Sequence, residues 1–536
     1  MATDAIPRNA LEQHQSLLFR LPRELRDEIY EYYVQETNGY HYESNSGKLR
    51  MDSGERINLG LQYACRRTFA EMDGIALRTN TITFRTTLDL PSVSDQLTDS
   101  EIYEYYLLCG RDAILRRMLE WSYPLVTSEV MEKLCERWPE NTTVRKMCGT
   151  QRTGELSSSM RSGTLWSADN TIPIDYNPHS TQALDILRDL LDIMSADPEF
   201  WLMTASEFDL GLREIYAPRA GGFDIESCAT EYTSKTQQLR VLEWEPDEWW
   251  IPTRADLDEL SEFIPKDEEC GPFSAIHIRG GNRSYFSAAA AATQFLGRLN
   301  GSTLKQIRNI IVLEDECSRP NPTNHARGLI PFCIANSQIK IERKVDIWRV
   351  MIMEYGNIEI YDCGADGLMR EIGAWISEAK TLASLGMPAG SFNLTMHGPS
   401  PRTSQQIFDA VVKVTTWDEG STILAATTFP DYFPDNVGGG FVEIIKAMIR
   451  GEIPVTFEAD MGEVWDIQEL LAQDTADWPV WFEAVLRIRD LEEPQEGWTL
   501  AREERFGVWK DRSEVEFNWM DQLEGFELLV LQDDVE

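Results

Sequence analysis

The chain has 536 residues, of which 42% are hydrophobic and 26% are charged, so it can fill a packed core and should fold as a globular protein. Its 89 acidic and 50 basic residues give a net charge of −39. This charge argues against binding to nucleic acid and to anionic membranes, because both are themselves negative, and we expect protein partners instead.

Residues 1–14 are polar, and we expect them to form a disordered leader. They lack the basic and apolar regions of a secretory signal. The nine cysteines are scattered without the spacing of a disulfide framework, which favours a reducing compartment, cytoplasmic or nuclear. No stretch approaches the roughly 20 apolar residues that a membrane-spanning helix needs.

The stretch LPRELRDEIYEYYV, residues 21–34, predicts a short amphipathic helix. Pro22 suits a first turn, where its missing N–H would have no partner, and Glu24 favours the positive end of the helix dipole. Arg23 and Asp27 have the spacing of an ion pair. The apolar residues share one stripe, made of Leu21, Leu25, Ile29 and Tyr32 or Tyr33. On its own, such a stripe indicates core packing more often than a docking surface.

Residues 35–56 are rich in Gly, Ser, Asn and charged residues and predict a loop. A second helix is predicted over residues 58–80, where apolar residues recur at intervals of three and four. The alternation in TITF, residues 81–84, predicts a short strand. These elements make up a first predicted unit, residues 15–90.

Residues 91–235 show mainly helical periodicity, interrupted by a Gly/Ser-rich segment at 149–172 that predicts a mobile loop. Residues 236–456 alternate between strand and helix patterns, so the fold class is α+β or α/β with at least partly parallel strands. The predicted strands are LRVLEWE (239–245), FSAIHIRG (273–280), IRNIIVLED (307–315), IKIERKVDIWRVM (339–351) and NIEIYDC (357–363). The alanine run in SYFSAAAAATQFLGRL predicts a helix that lies close to a sheet. The helix-then-strand pattern of residues 291–315 suggests an irregular array similar to leucine-rich repeats.

Residues 457–536 contain 23 acidic and six basic residues together with six of the 16 tryptophans. Disordered acidic tails are poor in aromatic residues, so this composition predicts a folded, strongly negative C-terminal region.

The chain contains no phosphate-binding loop, dinucleotide fingerprint, nucleophile elbow, zinc-protease motif or kinase motif. Cys317, His325 and Cys333 are spaced eight residues apart, but closed zinc sites usually bring paired ligands only two to four residues apart. We therefore predict a non-enzymatic protein and assign no catalytic residue, cofactor or metal ligand.

Three short motifs carry a family resemblance: LLFRLPRELRDEIYEYYV, LQYACRRTFAEM and RTNTITF, all within residues 17–85. They resemble the N-terminal region of a group of filamentous-fungal proteins that is described as F-box or F-box-like. The matching positions are Leu21, Pro22, Glu24, Leu25, Arg26, Ile29 and Tyr30, then Cys65, Arg66 and Glu71, then Asn80, Thr81 and Phe84.

The resemblance implies a helical F-box-like module that docks on the small adaptor protein of a Skp–cullin–F-box ubiquitin ligase. Its partner-binding residues would be Leu21, Pro22, Leu25 and Ile29, and the C-terminal region would select an unknown target protein. One alternative is a scaffold with the same fold that binds no ligase adaptor. Another is an enzyme with its site in the α/β region, at the carboxyl ends of the strands.

Overall fold

The computed structural model describes residues 16–90, 98–139, 144, 181–204, 235–263, 284–352, 365–428 and 439–468. The strands are β1 (Tyr40–Glu43), β2 (Lys48–Met51), β3 (Thr81–Arg85), β4 (Thr87–Asp89), β5 (Ser284–Phe286), β6 (Asn309–Glu314), β7 (Lys340–Asp346), β8 (Phe392–His397) and β9 (Val455–Phe457). Seven of them form one sheet in the order β2–β1–β3–β6–β7–β8–β9, and β4 pairs with β5 in a separate antiparallel ribbon. All neighbours in the large sheet are parallel except β1 and β2, so the fold is mixed α/β, as predicted.

The helices before the body of the sheet are α1 (Leu17–Arg20), α2 (Arg23–Val34), α3 (Arg66–Glu71), α4 (Ile75–Thr79), α5 (Asp99–Tyr105), α6 (Ala113–Ser122), α7 (Ser128–Arg137), α8 (Thr181–Ser195), α9 (Pro198–Thr204), α10 (Lys235–Glu243) and α11 (Arg254–Phe263). Those that follow are α12 (Ala288–Gly297), α13 (Gly301–Leu304), α14 (Ile330–Ala335), α15 (Ala365–Thr381), α16 (Pro401–Thr428) and α17 (Gly439–Ile449). No helix in these ranges is both long enough and apolar enough to cross a membrane.

One face of the large sheet is buried and the other is largely polar. Along β6 and β7 burial alternates, so that Ile310, Val312, Ile341 and Val345 lie in the main core with residues of α12, α14, α15 and α17. The helices thus cover the same face of the sheet. This follows from the strand order, because right-handed crossovers that always step in one direction place their helices on one side.

The predicted alanine-rich helix is confirmed as α12, but the first residues of its predicted range, 284–286, form strand β5 instead. Ser287 caps it by accepting a hydrogen bond from the Ala290 N–H at 3.0 Å, and all five alanines, 288–292, are buried. The helix packs against β3 and β6, and alanine allows this because its side chain is a single methyl group.

A fully buried ion pair lies at the centre of the body. The Arg343 guanidinium donates to Glu314 Oε1 at 2.6 and 3.0 Å and lies 4.4 Å from the Trp375 ring. Glu314 also accepts hydrogen bonds from the N–H groups of Ala288 and Ala289, at the positive end of the α12 dipole. One carboxylate therefore connects β6, β7 and α12.

The helical region α5–α11 has its own cores and is joined to the body by buried charges. Glu248 accepts from Arg111 at 2.6 Å and from Asn324 at 2.5 Å, and Arg327 donates to Glu378 at 2.9 Å and to Asp185 at 3.1 Å.

The strand predicted over 339–351 ends at Asp346, because Trp348–Ile352 is helical, and three further predicted elements are corrected. The first is the loop predicted over 35–56, which contains the hairpin β1–β2. Tyr40 and Tyr42 are two residues apart and both face inward, but the polar residues around them conceal this strand pattern in the sequence. Next, the helix predicted over 58–80 is two short helices, because Gly74 adopts a left-handed φ of 71° between them. The third is LRVLEWE, which lies in and after α10, where Val241 packs among helices; this tertiary contact outweighs its strand propensity.

Several predictions lie outside the described residues. They are the leader 1–14, the loop 149–172, the strands at 273–280 and 357–363, and the acidic C-terminal region from 469 onward. The sheet also crosses the predicted boundary at residue 90, since β3 pairs directly with β6 along five residues.

We predict that Ala291→Leu lowers the free energy of unfolding by about 1–3 kcal/mol, because α12 has no room for a larger side chain against the sheet. The measurement is urea denaturation, compared with Ala335→Leu, which adds the same atoms at an exposed position. Equal unfolding midpoints for the two variants would contradict the close packing of α12.

Candidate partner-binding face of the second helix

The helix α2 buries one face and exposes another, and two apolar residues of the predicted stripe lie on the exposed face among charged ones. Arg26, Tyr30 and Val34 point inward at intervals of four residues. Leu25 and Ile29, from the predicted stripe, are 45% and 39% exposed. The side chains that the core receives from α2 are therefore an arginine, a tyrosine and a valine.

Glu71, at the end of α3, holds this arrangement in place. Its carboxylate accepts from Arg26 Nε and Nη2 at 2.8 and 2.7 Å, from the Tyr30 hydroxyl at 2.8 Å and from Arg67 Nε at 2.9 Å. We call Arg26, Tyr30, Arg67 and Glu71 the Glu71 cluster. A buried arginine is stable only when its charge is paired. The side of α2 that carries Arg26 can therefore face the core only because Arg26 pairs with Glu71.

The ionisation of the Glu71 cluster follows from these contacts. Burial acts to raise the pKa of Glu71, but hydrogen bonds from Arg26, Arg67 and Tyr30 outweigh it and lower that pKa to about 2. Burial and the neighbouring carboxylate raise the pKa of Tyr30 to about 12. At neutral pH the cluster therefore contains an ionised glutamate and a neutral tyrosine that donates to it.

Both ends of α2 are fixed as well. At the start, Arg26 Nη1 donates to the Leu21 carbonyl at 2.6 Å, and the Arg67 guanidinium lies 4.4 Å from the ring of Phe19 in α1. At the end, Asn80 Nδ2 donates to the Val34 carbonyl at 2.8 Å, and Asn80 Oδ1 accepts from the Glu36 N–H at 2.8 Å. These bonds set the rotation of the helix about its own axis.

The four residues predicted to bind a partner lie together on the outside. Pro22 is exposed immediately before α2, Leu25 and Ile29 are exposed one turn apart, and Leu21 is half-buried. We call these four residues the outer face. Tyr32, which is 80% exposed, continues it by one further turn. For Leu25 and Ile29, core packing was the wrong interpretation, because the Glu71 cluster occupies the inward side.

The sequence left open whether Tyr32 or Tyr33 belongs to the stripe, and the structure decides for Tyr32. The Tyr33 hydroxyl instead donates to Asn58 Oδ1 at 2.8 Å and accepts from the Leu61 N–H at 3.1 Å. The predicted ion pair between Arg23 and Asp27 is confirmed at 2.7 Å.

The family pattern separates into two groups of residues in the structure. Arg26, Tyr30, Glu71 and Asn80 make internal bonds that build the N-terminal segment, whereas Pro22, Leu25 and Ile29 leave apolar surface open. Sequence reasoning gave Glu71 no role. Its signal was a glutamate four residues after Arg67 on a predicted helix, the spacing of an ion pair.

A serine–histidine pair elsewhere in the chain lies within hydrogen-bonding distance, as in catalytic pairs, but a substrate cannot reach it. Ser287 Oγ lies 2.5 Å from His325 Nδ1, but both side chains are fully buried and Ser287 is engaged as the cap of α12. Burial, assisted by the charge of Arg343, lowers the pKa of His325 to about 3, so it is neutral. We interpret the pair as structural.

The spacing of Cys317, His325 and Cys333 does not produce a metal site. His325 bonds to Ser287 instead, and Cys333 lies in the main core. Across the ranges that the structure describes, no three His, Cys, Asp or Glu side chains are arranged to hold a metal ion.

Comparison of the chain with protein-family models, with curated proteins and with solved structures finds no match. Functional inference therefore depends on the geometry described above.

We predict that Glu71→Gln lowers the free energy of unfolding by about 2–3 kcal/mol at neutral pH, because it leaves the buried Arg26 without a counter-charge. The folded-state pKa of Glu71 lies below its ordinary value of 4.5, so its stabilisation is complete above that pH and is lost as the pH falls toward 2. The measurement is urea denaturation of both proteins from about pH 7 to pH 3.

The matched control is Glu28→Gln, which makes the same change at an exposed position on α2. If Glu28→Gln costs as much as Glu71→Gln, or if the difference between wild type and Glu71→Gln does not shrink in acid, the Glu71 cluster does not have this role.

Proposed function

We propose that this chain is a protein-interaction module, an F-box-like substrate adaptor that docks on the small adaptor protein of a Skp–cullin–F-box ubiquitin ligase. The supporting observation is the orientation of α2. Its polar and aromatic side is buried against Glu71, and the apolar residues Leu25 and Ile29 remain on the surface. Exposing these apolar side chains to water does not stabilise the fold. Apolar side chains on one face of a helix are suited to a groove on a partner protein.

The second part of the proposal concerns the body of the chain, which in an adaptor selects the target. Strands β1, β3, β6, β7, β8 and β9 follow one another across the sheet in chain order, with their helices on one face. This succession supports an irregular array similar to leucine-rich repeats, in which the sheet face that carries none of the described helices is available for partners.

That face carries rows of mixed polar and apolar side chains, which we call the open face. One row is Thr83, Ile311, Glu342 and Asn393, and the next is Leu313, Lys344, Thr395 and Thr456. Thr83 and Thr395 are buried, so the other side chains supply the accessible surface of the open face. Neighbours are linked by hydrogen bonds, for example Asn393 Nδ2 to Thr395 Oγ1 and to Thr456 Oγ1 at 3.1 Å each. Lys344 lies 3.4 Å from both Glu342 and Glu458.

For the docking part, we expect the purified chain to capture the ligase adaptor and cullin, and Leu25→Arg/Ile29→Arg to reduce that capture at least about tenfold, because two charges would replace the apolar contact. The control is Leu202→Arg/Ile334→Arg, which makes the same change at residues that are 74% and 62% exposed. Thermal unfolding of each variant verifies that it is folded.

Two results would overturn the docking proposal. If wild-type protein captures neither ligase adaptor nor cullin, the chain is not a ligase adaptor, and the scaffold alternative replaces it. If the Leu25→Arg/Ile29→Arg variant retains both proteins, the outer face is not the docking surface.

For the target-binding part, we predict that Glu342→Arg/Glu458→Arg loses bound target proteins and keeps the ligase adaptor, because the change reverses charge on the open face only. Quantitative mass spectrometry of captured proteins measures both. Glu443→Arg/Glu452→Arg, an equal charge change at exposed positions on and after α17, is the control. An unchanged set of captured proteins would show that the open face does not select targets.

A further inference from the structure

The segment from β2 through the first residues of α3 is basic on a strongly acidic chain. Residues 48–67 contain five basic and two acidic residues, against 50 and 89 in the whole sequence. Arg50 is paired with Glu43 at 3.1 Å and Arg67 with Glu71 at 2.9 Å. Arg56 and Arg66 are exposed, and neither has an ion-pair partner in the part of the chain that the structure describes.

Two exposed aromatic side chains accompany these arginines. Tyr63 and Phe69 are 69% and 50% exposed, and their ring centroids are 5.9 Å apart. Arg66 precedes Phe69 by three residues on α3, so the two share one side of that helix. Exposed aromatic rings in contact with each other, beside unpaired arginines, are typical of protein-binding surfaces.

Tyr63 also lines an open basin of about 590 Å³. Met51, Ile57 and Leu59 supply its apolar lining, and Arg56 and Glu55 add one charge of each sign. We call Arg56, Tyr63, Arg66 and Phe69 the basic-aromatic patch: Arg56 and Tyr63 share the basin, the rings join Tyr63 to Phe69, and α3 joins Phe69 to Arg66.

The patch rests on a fixed backbone. Asn58 Oδ1 accepts from the Tyr33 hydroxyl and, at 3.1 Å, from the Gly60 N–H, which secures the segment to α2. The start of α3 is held by reciprocal bonds between Cys65 and Thr68. A surface that is already ordered loses little conformational entropy when a partner binds.

We propose that the basic-aromatic patch binds an acidic peptide segment of a partner protein, with one large apolar side chain in the basin and carboxylates on Arg56 and Arg66. Planar guanidinium groups suit carboxylates, and Arg56 and Arg66 act on a bound peptide at short range, where the more distant acidic residues of the chain are screened by salt. A nucleic acid fits less well, because its many phosphates would meet Glu55 in the basin and the acidic surface beyond.

The experiment is phage-display selection of short random peptides on the immobilised full chain, followed by fluorescence anisotropy with the selected peptides. We expect the selected peptides to be rich in Asp and Glu around one Leu, Phe or Trp. Their affinity should fall about tenfold for Arg56→Gln/Arg66→Gln and about tenfold for Tyr63→Ser/Phe69→Ser. It should also fall in about 0.5 M NaCl, where exposed charges are screened.

Arg402→Gln/Arg450→Gln, which removes the same charge at two exposed positions on and after other helices, should bind the peptides as wild type does. The Leu25→Arg/Ile29→Arg variant should also bind them normally, because the patch shares no residue with the outer face. The peptide-binding proposal can therefore be refuted while the docking proposal stands, and the docking proposal can be refuted while the peptide-binding proposal stands.

Three results would overturn the inference. Selected peptides that are neutral or basic would show that the patch does not choose acidic ligands. Equal affinity for wild type and for Arg56→Gln/Arg66→Gln would place the binding elsewhere. A single-stranded oligonucleotide that binds through these arginines, when acidic peptides do not, would assign the patch to nucleic acid.

Discussion

The carboxylate of Glu71 determines which face of α2 is buried and which is exposed. An arginine on a helix normally faces water, yet Arg26 is buried because Glu71 offers two oxygens at 2.7 and 2.8 Å. Once that pair and Tyr30 occupy the inward side, Leu25 and Ile29 lie turned away from the core, since each precedes an inward residue by one position and is therefore rotated from it by about 100° around the helix. A polar contact in the interior thus creates an apolar surface on the exterior.

A second buried pair has a comparable position in the body. Arg343 and Glu314 lie on adjacent strands, and Glu314 also receives the first N–H groups of α12. Leaving either charge alone in the core would be costly, so the register of β6 against β7 and the docking of α12 are determined together. The main core forms around them from aliphatic residues of the strands and helices.

The two buried ion pairs stabilise the fold, and the surfaces proposed for binding use other residues. The residues that bury charge are internal and bonded, whereas the outer face contains exposed apolar residues and the basic-aromatic patch contains arginines with no ion-pair partner among the described residues. The outer face of α2 and the basic-aromatic patch lie on the same N-terminal segment and differ in chemistry, one apolar and one basic. Two different partners, or two parts of one partner, can therefore be distinguished by variants that leave the fold intact.

Local patterns in the sequence were enough to predict several elements. The helix of α2 follows from its spacing and its first-turn residues, β3, β6 and β7 from their alternation, and α12 from its alanine run; the mixed α/β class follows from their succession. The β1–β2 hairpin and the helical state of LRVLEWE depend on pairing or packing with distant residues, and the break at Gly74 depends on a left-handed backbone that hydrophobic spacing does not show, so local patterns missed all three. The direction in which α2 faces was decided only by tertiary structure. Hydrophobic periodicity ranks a leucine above an arginine for burial, and only the contact between Arg26 and Glu71, 45 residues apart, reverses that order.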